Sequence, residues 1–179
     1  LADGRWTHSL SVQGVDATRK SDSNFVRTGG DEGTRLKASY ATTFRIDSAD
    51  FSHKLTGAYD YERETYRNTN PVGPFNADTT RRAVRNDGVV GQYDLTLADR
   101  AGAGVAVRHD RNDRFRDATT YRVQGFYRLN PALRLRGALG SGVKKPTQTQ
   151  LFGYNAAAFP FVGNPKLKPE QIGRASCRE

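Results

Sequence analysis

Seven stretches of this chain alternate apolar and polar residues with period two, and their charges fall on one parity. The second is the clearest: Leu36, Ala38, Tyr40, Thr42, Phe44 and Ile46 against Lys37, Ser39, Ala41, Thr43 and Arg45. Similar stretches run Trp6–Gln13, Phe51–Glu62, Val89–Leu97, Ala103–Asp110, Thr120–Leu129 and Leu133–Gly140. A period of two belongs to a strand with two unlike faces. Lys37, Arg45, Lys54, Asp60, Asp94, Arg108, Arg122, Arg128, Arg134 and Arg136 all lie on the face opposite the large apolar residues. A half-buried sheet in a soluble protein would show the same parity, so the connections must decide.

The connections alternate in length. Asp16–Gly33, Arg63–Arg82, Arg111–Thr119 and the segment after Gly140 are long and polar, and are expected to be loops. Asp47–Asp50, Asp99–Gly102 and Asn130–Ala132 are tight turns. Short turns at one end and long loops at the other mark an up-and-down barrel in an outer membrane. A basic side chain on the lipid face at mid-membrane costs ~2–4 kcal/mol, whereas a polar lumen accepts it. The expected fold is all-β: an antiparallel up-and-down transmembrane β-barrel, here an incomplete segment of about seven strands. Leu95 should face lipid and Thr96 the lumen. With the short turns in the periplasm, Trp6, Phe44, Phe51 and Tyr127 approach the inner rim. Tyr59, Tyr61 and Tyr121 approach the outer rim, as in two aromatic girdles. Tyr40 and Tyr93 fall nearer mid-span, and Phe126 points into the lumen without an evident reason.

Composition narrows the function. No apolar run reaches the ~18 residues that suggest a membrane helix. The net charge of +9 is spread along the chain, with no zinc-finger spacing, phosphate-binding loop or RNA-binding aromatic motif, so nucleic acid is not an expected partner. His8, His53 and His109 do not form a ligand set. His109 and Asp110 are strand neighbours and point to opposite faces, which argues against a base with its orienter. Asp110, Asp113 and Asp117 are interleaved with Arg111, Arg114 and Arg116, so ion pairing is favoured there over calcium. No catalytic residue, metal or cofactor is expected.

The stretch Ser141–Glu170, SGVKKPTQTQLFGYNAAAFPFVGNPKLKPE, is dense in turn residues. Gly163, Asn164, Pro165 and Pro169 make Phe161–Glu170 a shaped loop. Gly140, Gly142, Pro146, Thr147, Gln150–Gly153 and Gly163–Glu170 together resemble the signature of TonB-dependent outer-membrane receptors. Val107–Asp110, Asn112, Arg114, Phe115 and Thr119–Tyr121 resemble the preceding region of the vitamin-B12-type members, though Arg116 stands where they commonly carry Gly. The resemblance covers residues 5–170 in pattern and is specific only after about Gly104.

That resemblance implies a barrel-wall fragment from the outer membrane of a Gram-negative bacterium, since closure of such a barrel takes about 22 strands. It implies active uptake of a bulky scarce nutrient: a cobalamin, a ferric siderophore or haem, with cobalamin slightly ahead. The implied partners are outer-membrane lipid, the nutrient ligand, and a periplasmic TonB-type energy-coupling protein acting through a plug domain upstream of Leu1. Candidate ligand contacts are Tyr66, Arg67, Phe75, Arg114, Phe115, Tyr154, Phe159 and Phe161, because aromatic and basic loop residues suit a large, partly apolar, often anionic ligand. Packing within its own loop is the competing role for each. The loop from Val143 to Glu170, with Phe152, Lys144 and Lys145, should fold over the barrel mouth. A passive porin or structural outer-membrane barrel is the alternative function. An enzyme barrel would need a Ser/His pair on the lipid face near the rim, and none is found.

The tail stands apart. Ile172–Glu179, IGRASCRE, holds the lone Cys177 and resembles, codon by codon, the translation of a common sequencing adapter. The expected division is residues 1–171 as partial barrel and 172–179 as read-through.

Overall fold

A computed structural model of the protein describes residues 4–69, 79–155 and 161–178. The order of elements is β1 (Trp6–Ser23), β2 (Val26–Asp47), β3 (Phe51–Asn68), β4 (Arg82–Leu97), β5 (Ala101–Asn112), β6 (Ala118–Asn130), β7 (Leu133–Lys144), α1 (Gln148–Phe152), β8 (Tyr154–Asn155), β9 (Phe161–Val162) and β10 (Glu170–Arg178). All strands join one antiparallel sheet in the order β10-β7-β6-β5-β4-β3-β2-β8-β9, with β1 also on β2. From β1 to β7 each strand pairs with the next in sequence, which is the up-and-down topology. The sheet does not close: among the described residues, β1 and β10 each have one neighbour.

The short turns are built by their own residues. Ser48 donates its backbone N–H to the Phe51 carbonyl at 2.8 Å. Ala98 and Asp99 take positive φ, 40° and 53°. Asn130 accepts the N–H groups of Ala132 and Leu133 on its side-chain oxygen at 2.9 and 2.8 Å, while Pro131 presets the bend.

Register confirms the two faces. Directly paired residues share a face. Phe44, Leu55, Tyr93, Val105, Val123 and Leu139 form one continuous row across β2–β7. Arg45, Lys54, Asp94, Gly104, Gln124 and Ala138 form the adjacent row on the other face. The apolar face is bare: Leu10 is 74% exposed and Leu55 58%. Buried apolar side chains among the described residues are only Tyr66, Val84, Leu151 and Tyr154. The accessible surface is 12591 Å². A compact chain of 19.8 kDa would show roughly 8,600 Å². An extended apolar surface of this kind is a solvent-mismatched sheet in water and a matched one in lipid.

Polar tips on that outer face are satisfied locally. Trp6 Nε1 donates to Thr42 Oγ1 at 2.7 Å. The Tyr40 hydroxyl lies 2.7 Å from His8 Nδ1, and the Tyr93 hydroxyl 2.8 Å from His53 Nδ1. These pairings account for tyrosines nearer mid-span, because each phenol has a partner within the sheet. Phe126 also finds its explanation. On the polar face its ring lies over Gly102, where an added Cβ would come within 2.3 Å of it, and the Arg134 guanidinium stacks 3.6 Å from its centroid.

One expectation fails. Asp16–Gly33 was expected to be a loop, as were Arg63–Arg82 and the start of the Arg111–Thr119 connection. Instead β1 and β2 continue to a two-residue turn at Asn24 and Phe25, both at positive φ (48° and 63°). Likewise β3 continues to Asn68 and β4 begins at Arg82. A transmembrane strand needs about 9–11 residues, so the 18 and 22 residues of β1 and β2 stand well clear of the bilayer. There the outer face meets water, while the inner face buries Tyr66, Asn68 and Val84. The apolar alternation disappears although the strand continues, and cross-strand ion pairs such as Arg19–Asp31 at 2.5 Å take its place.

Candidate functional site: a strap across the polar face

The connection after β7 does not hang free. It folds into a strap that crosses the polar face from β7 to the far end of β2. Lys145 and Pro146 leave the sheet. Thr147 then starts α1 with a capping box: the Gln150 N–H donates to Thr147 Oγ1 at 3.2 Å, and the Thr147 N–H to Gln150 Oε1 at 2.9 Å. The sequence had marked this stretch only by its motif, and a helix was not expected there. The reciprocal Thr–Gln pair is the local signal for it. Leu151, at 1% exposure, is the buried anchor of the helix. Gly153 ends it by donating to the Thr149 carbonyl at 2.7 Å.

The Gly-Asn-Pro turn closes back on α1. Gly163 donates to the Gly153 carbonyl at 2.7 Å and Asn164 to the Gln150 carbonyl at 2.8 Å. An added Cβ at Gly163 would lie 2.6 Å from the backbone of Leu151 and Phe152. Glycine is required here by close backbone approach. Asn164 Oδ1 accepts the Lys166 N–H at 3.0 Å and shapes the rest of the turn. Beyond α1, β8 pairs Asn155 with Gly29 of β2 and so fastens the far end.

Side chains tie the strap to the wall. Two guanidinium groups, Arg82 of β4 and Arg114 of the β5–β6 connection, each lie 4.8 Å from the centroid of the Phe152 ring. The Lys145 ammonium donates to Asn86 Oδ1. Asn86 donates in turn to Asp110 at 2.9 Å, Asp110 pairs with Arg108 at 2.8 Å, and Arg108 reaches Asp60. Burial pushes Lys145 below its ordinary pKa, an effect partly offset by the carboxylates of Asp110, Glu62 and Glu64. Asp113 and Asp117 turn away from Asp110: they accept the backbone N–H groups of Arg85 and Asn112.

Under the strap lies a cavity of about 470 Å³, bounded by Lys145, Thr147 and Gln148 above and by Tyr66, Asn86 and Asn112 below. The Tyr66 hydroxyl and Gln148 Oε1 are shielded from solvent and have no hydrogen-bond partner among the described residues. Tyr66 is 5% exposed, and burial, reinforced by Asp31, pushes its phenol up to about 12.

The sequence-predicted contacts divide. Tyr66 and Phe115 line this cavity, and Arg114 lies over the Phe152 ring of α1. Tyr154 is buried at 4% exposure, with its hydroxyl also unpartnered. Arg67 follows Tyr66 on β3 and points to the opposite face, where it pairs with Glu32 at 2.7 Å. The Phe161 backbone pairs with Asn155 in the β8–β9 hairpin. Phe75 and Phe159 lie outside the described residues. Sequence reasoning missed Asn86, Asn112 and Gln148. The two asparagines stand on strand extensions that carry no apolar alternation, and Gln148 lies on the unexpected helix.

An open antiparallel sheet with an apolar outer face, a polar inner face and a strap at its long-connection end defines a wall segment of an outer-membrane β-barrel. The TonB dependent receptor-like β-barrel family matches residues 2–172, and the chain belongs to it. That family consists of receptors and transporters of the outer membrane, not of enzymes. No curated protein sequence matches at a significant level. The chain is similar in structure to the siderophore receptor PirA from Pseudomonas aeruginosa, with a TM-score of 0.70 and 12% identity over 96% of this chain. It spans 36% of that receptor's length. At this identity the likeness establishes the fold alone.

Proposed function

We propose that the chain is part of the wall of an outer-membrane receptor for active uptake of a bulky scarce nutrient: a ferric siderophore, haem or a cobalamin. The strap over the cavity carries this reading. It occupies the inner face at the end with the long connections, where ligand arrives from outside. A passive porin keeps its lumen open to water, and a structural barrel has no use for shielded polar groups without partners beneath a strap. Tyr66, Gln148, Asn86, Asn112, Phe115 and Arg114 offer the mixed aromatic and polar surface that orients a large ligand. Phe75, Tyr154, Phe159 and Phe161 are proposed as further contacts from neighbouring parts of the strap and loops, and Arg67 as a rim contact. Energy would come from a periplasmic TonB-type coupling protein pulling on a plug domain upstream of Leu1.

Growth of a host carrying the full gene tests the reading. With a ferric siderophore, haem or cobalamin as sole source, growth should depend both on the gene and on the host's energy-coupling protein. Growth on the same nutrients without the coupling protein would point to passive diffusion and overturn it. Loss of growth on one nutrient alone when Tyr66 is replaced by Ala would identify the substrate.

We further propose that residues 172–179 are read-through from a sequencing adapter. Their pairing with β7, Ile172 against Gly142 through Arg178 against Arg136, is made by backbone groups. Any extended segment after Gln171 can make such pairs along an open edge. Recovery of IGRASCRE from an adapter-free genomic read would refute the proposal.

A further inference from the structure

The outer face of the sheet changes chemistry at one height. Register orders its rows across β3–β6. Gly57, Gly91, Val107 and Tyr121 are followed by Tyr59, Val89, His109 and Thr119, then by Tyr61, Asp87 and Arg111, and then by Arg63 and Arg85. Apolar residues give way to arginines. From Phe51 to Arg63 the strand rises roughly 40 Å along its own axis. At a tilt of about 40° that is roughly 30 Å along the membrane normal, against an apolar band about 25 Å tall. With Phe51 at the inner rim, Arg63 and Arg85 stand among the headgroups of the outer leaflet.

These rows carry an excess of positive charge. Arg63 lies directly opposite Arg85, and among the described residues neither Arg63 nor Arg111 has a carboxylate within ion-pair distance. Asp87 pairs with Arg85 at 3.3 Å and accepts the Tyr59 hydroxyl at 2.6 Å. Asp117 lies 4.0 Å from His109 Nε2 and accepts the Asn112 N–H. Arg67 and Arg81, further out, differ in that both reach Glu32, at 2.7 and 3.5 Å. The rows also enclose space. A cavity of about 450 Å³ opens on this face, lined by Tyr59, Arg85, Asp87, Val89, His109 and Arg111. Tyr59 and Val89 form its membrane end, and Arg85 and Arg111 its outer end. The Arg85 guanidinium lies 5.1 Å from the centroid of the Tyr61 ring, which supports it from below.

We propose that this pocket holds the phosphate of a lipid headgroup in the outer leaflet. Arg85 and Arg111 donate to the phosphate oxygens, Arg63 adds charge beside them, and the acyl chains lie down the Tyr59 and Val89 side. Position and charge choose this occupant. The site faces away from the lumen, so a nutrient passing through the barrel does not meet it. Its excess cations stand directly above an apolar surface, and a phosphorylated lipid presents a phosphate directly above hydrocarbon. Free phosphate would match the cations alone. The planar fork of arginine suits two phosphate oxygens at once, giving orientation as well as charge. The site belongs to the barrel wall and would serve a receptor or a passive barrel equally.

The test uses the full-length protein purified in non-ionic detergent, titrated with mixed micelles carrying phosphatidic acid, with bound lipid read by native mass spectrometry. Arg85→Gln together with Arg111→Gln should weaken binding by ~10-fold or more, because charge-assisted hydrogen bonds are lost. Arg122→Gln together with Arg136→Gln removes the same charge from the inner face and should change binding by less than ~2-fold. Equal losses in the two double variants would reduce the effect to net charge and overturn the proposal. A second comparison needs no variant. Wild-type protein should bind phosphatidic acid at least ~10-fold more tightly than diacylglycerol with the same chains, and inorganic phosphate at the same concentration should not displace it. Equal binding of the two lipids would leave the arginines without a role in lipid binding. Displacement by inorganic phosphate would make the pocket a simple anion site. Either result overturns the proposal.

Discussion

The strands of this protein have two parts that are held by different physics. Near the short turns, Phe51–Tyr61 of β3 and the matching stretches of its neighbours show an apolar outer face and a polar inner face. The outer face is bare of protein and suited to lipid. Beyond them, Glu62–Asn68 of β3 and residues 13–33 of β1 and β2 extend past the membrane part: the outer face turns to water, and the inner face is partly covered by the strap, with Tyr66 and Asn68 buried. There the ladder is reinforced by ion pairs such as Arg19–Asp31 and Arg67–Glu32, by the Thr34–Thr65 hydroxyl pair at 2.7 Å, and by the strap. Hydrogen bonds between backbones are continuous through both parts. What changes is the solvent each face must match. A strand is therefore one element to its backbone and two elements to its side chains.

The largest expected effect comes from exchanging the two faces in the membrane part. Leu55→Arg places a guanidinium on the lipid face and should cost ~2–4 kcal/mol of folding into a bilayer. Thr56→Arg, one residue on, should cost no more than the roughly 1 kcal/mol of its hydrogen bond with Thr43 at 3.0 Å. Folding titrations of the full-length protein in lipid vesicles measure both. Equal costs would break the distinction between faces.

Next is Gly163→Ala, which leaves the membrane part alone. Its Cβ would enter the backbone of α1, so the strap should be displaced at a cost of about 1–3 kcal/mol. Protease cleavage after Lys166 in intact cells should accelerate, with the amount of inserted barrel unchanged. Loss of the whole barrel would show that the strap and the wall fold as one unit.

Alkaline titration sharpens the same boundary. The folded pKa of Tyr66, about 12, lies above the ordinary tyrosine value of 10.0. Its contribution to the strap is therefore complete below pH 10 and is lost as pH rises toward 12. Strap cleavage should rise in that window and should lose this dependence in Tyr66→Phe. A rise that persists in the Phe variant would assign the effect to another group.

The smallest effect belongs to the watery hairpin. Arg19→Ala removes one exposed ion pair and should cost less than ~1 kcal/mol, a difference that shrinks at high salt. Hydrogen exchange of the β1–β2 tip is the sensitive measurement. A large, salt-independent loss would mean that the extension is held by more than surface charge.

These expectations also show how much of the chain was legible in advance. Alternation in seven stretches was enough to place the membrane part, its two faces and its up-and-down order, because lipid on one side and a polar lumen on the other impose opposite demands on successive residues. The turn at Gly163–Pro165 and the Pro-Thr-x-x-Gln-Leu-Phe-Gly stretch were legible as motifs. Their purpose was not. Thr147 and Gln150 cap a helix, Gly163 admits that helix at backbone distance, and Phe152 collects arginines from β4 and from the β5–β6 connection, both distant in sequence.

The extensions of β1 to β4 were hidden because without lipid against the outer face there is no regular alternation to read, even where the backbone ladder continues. Asn86, Asn112 and Gln148 were hidden for a second reason. They become a site only when α1 is laid across strands more than thirty residues away in the chain, at Asn86 and Asn112. Local sequence determines which face a side chain takes, since that depends only on the pleat and the solvent beyond it. Which side chains on that face come to enclose a cavity depends on how the sheet and its strap pack together, and that is set by contacts that no short stretch of sequence contains.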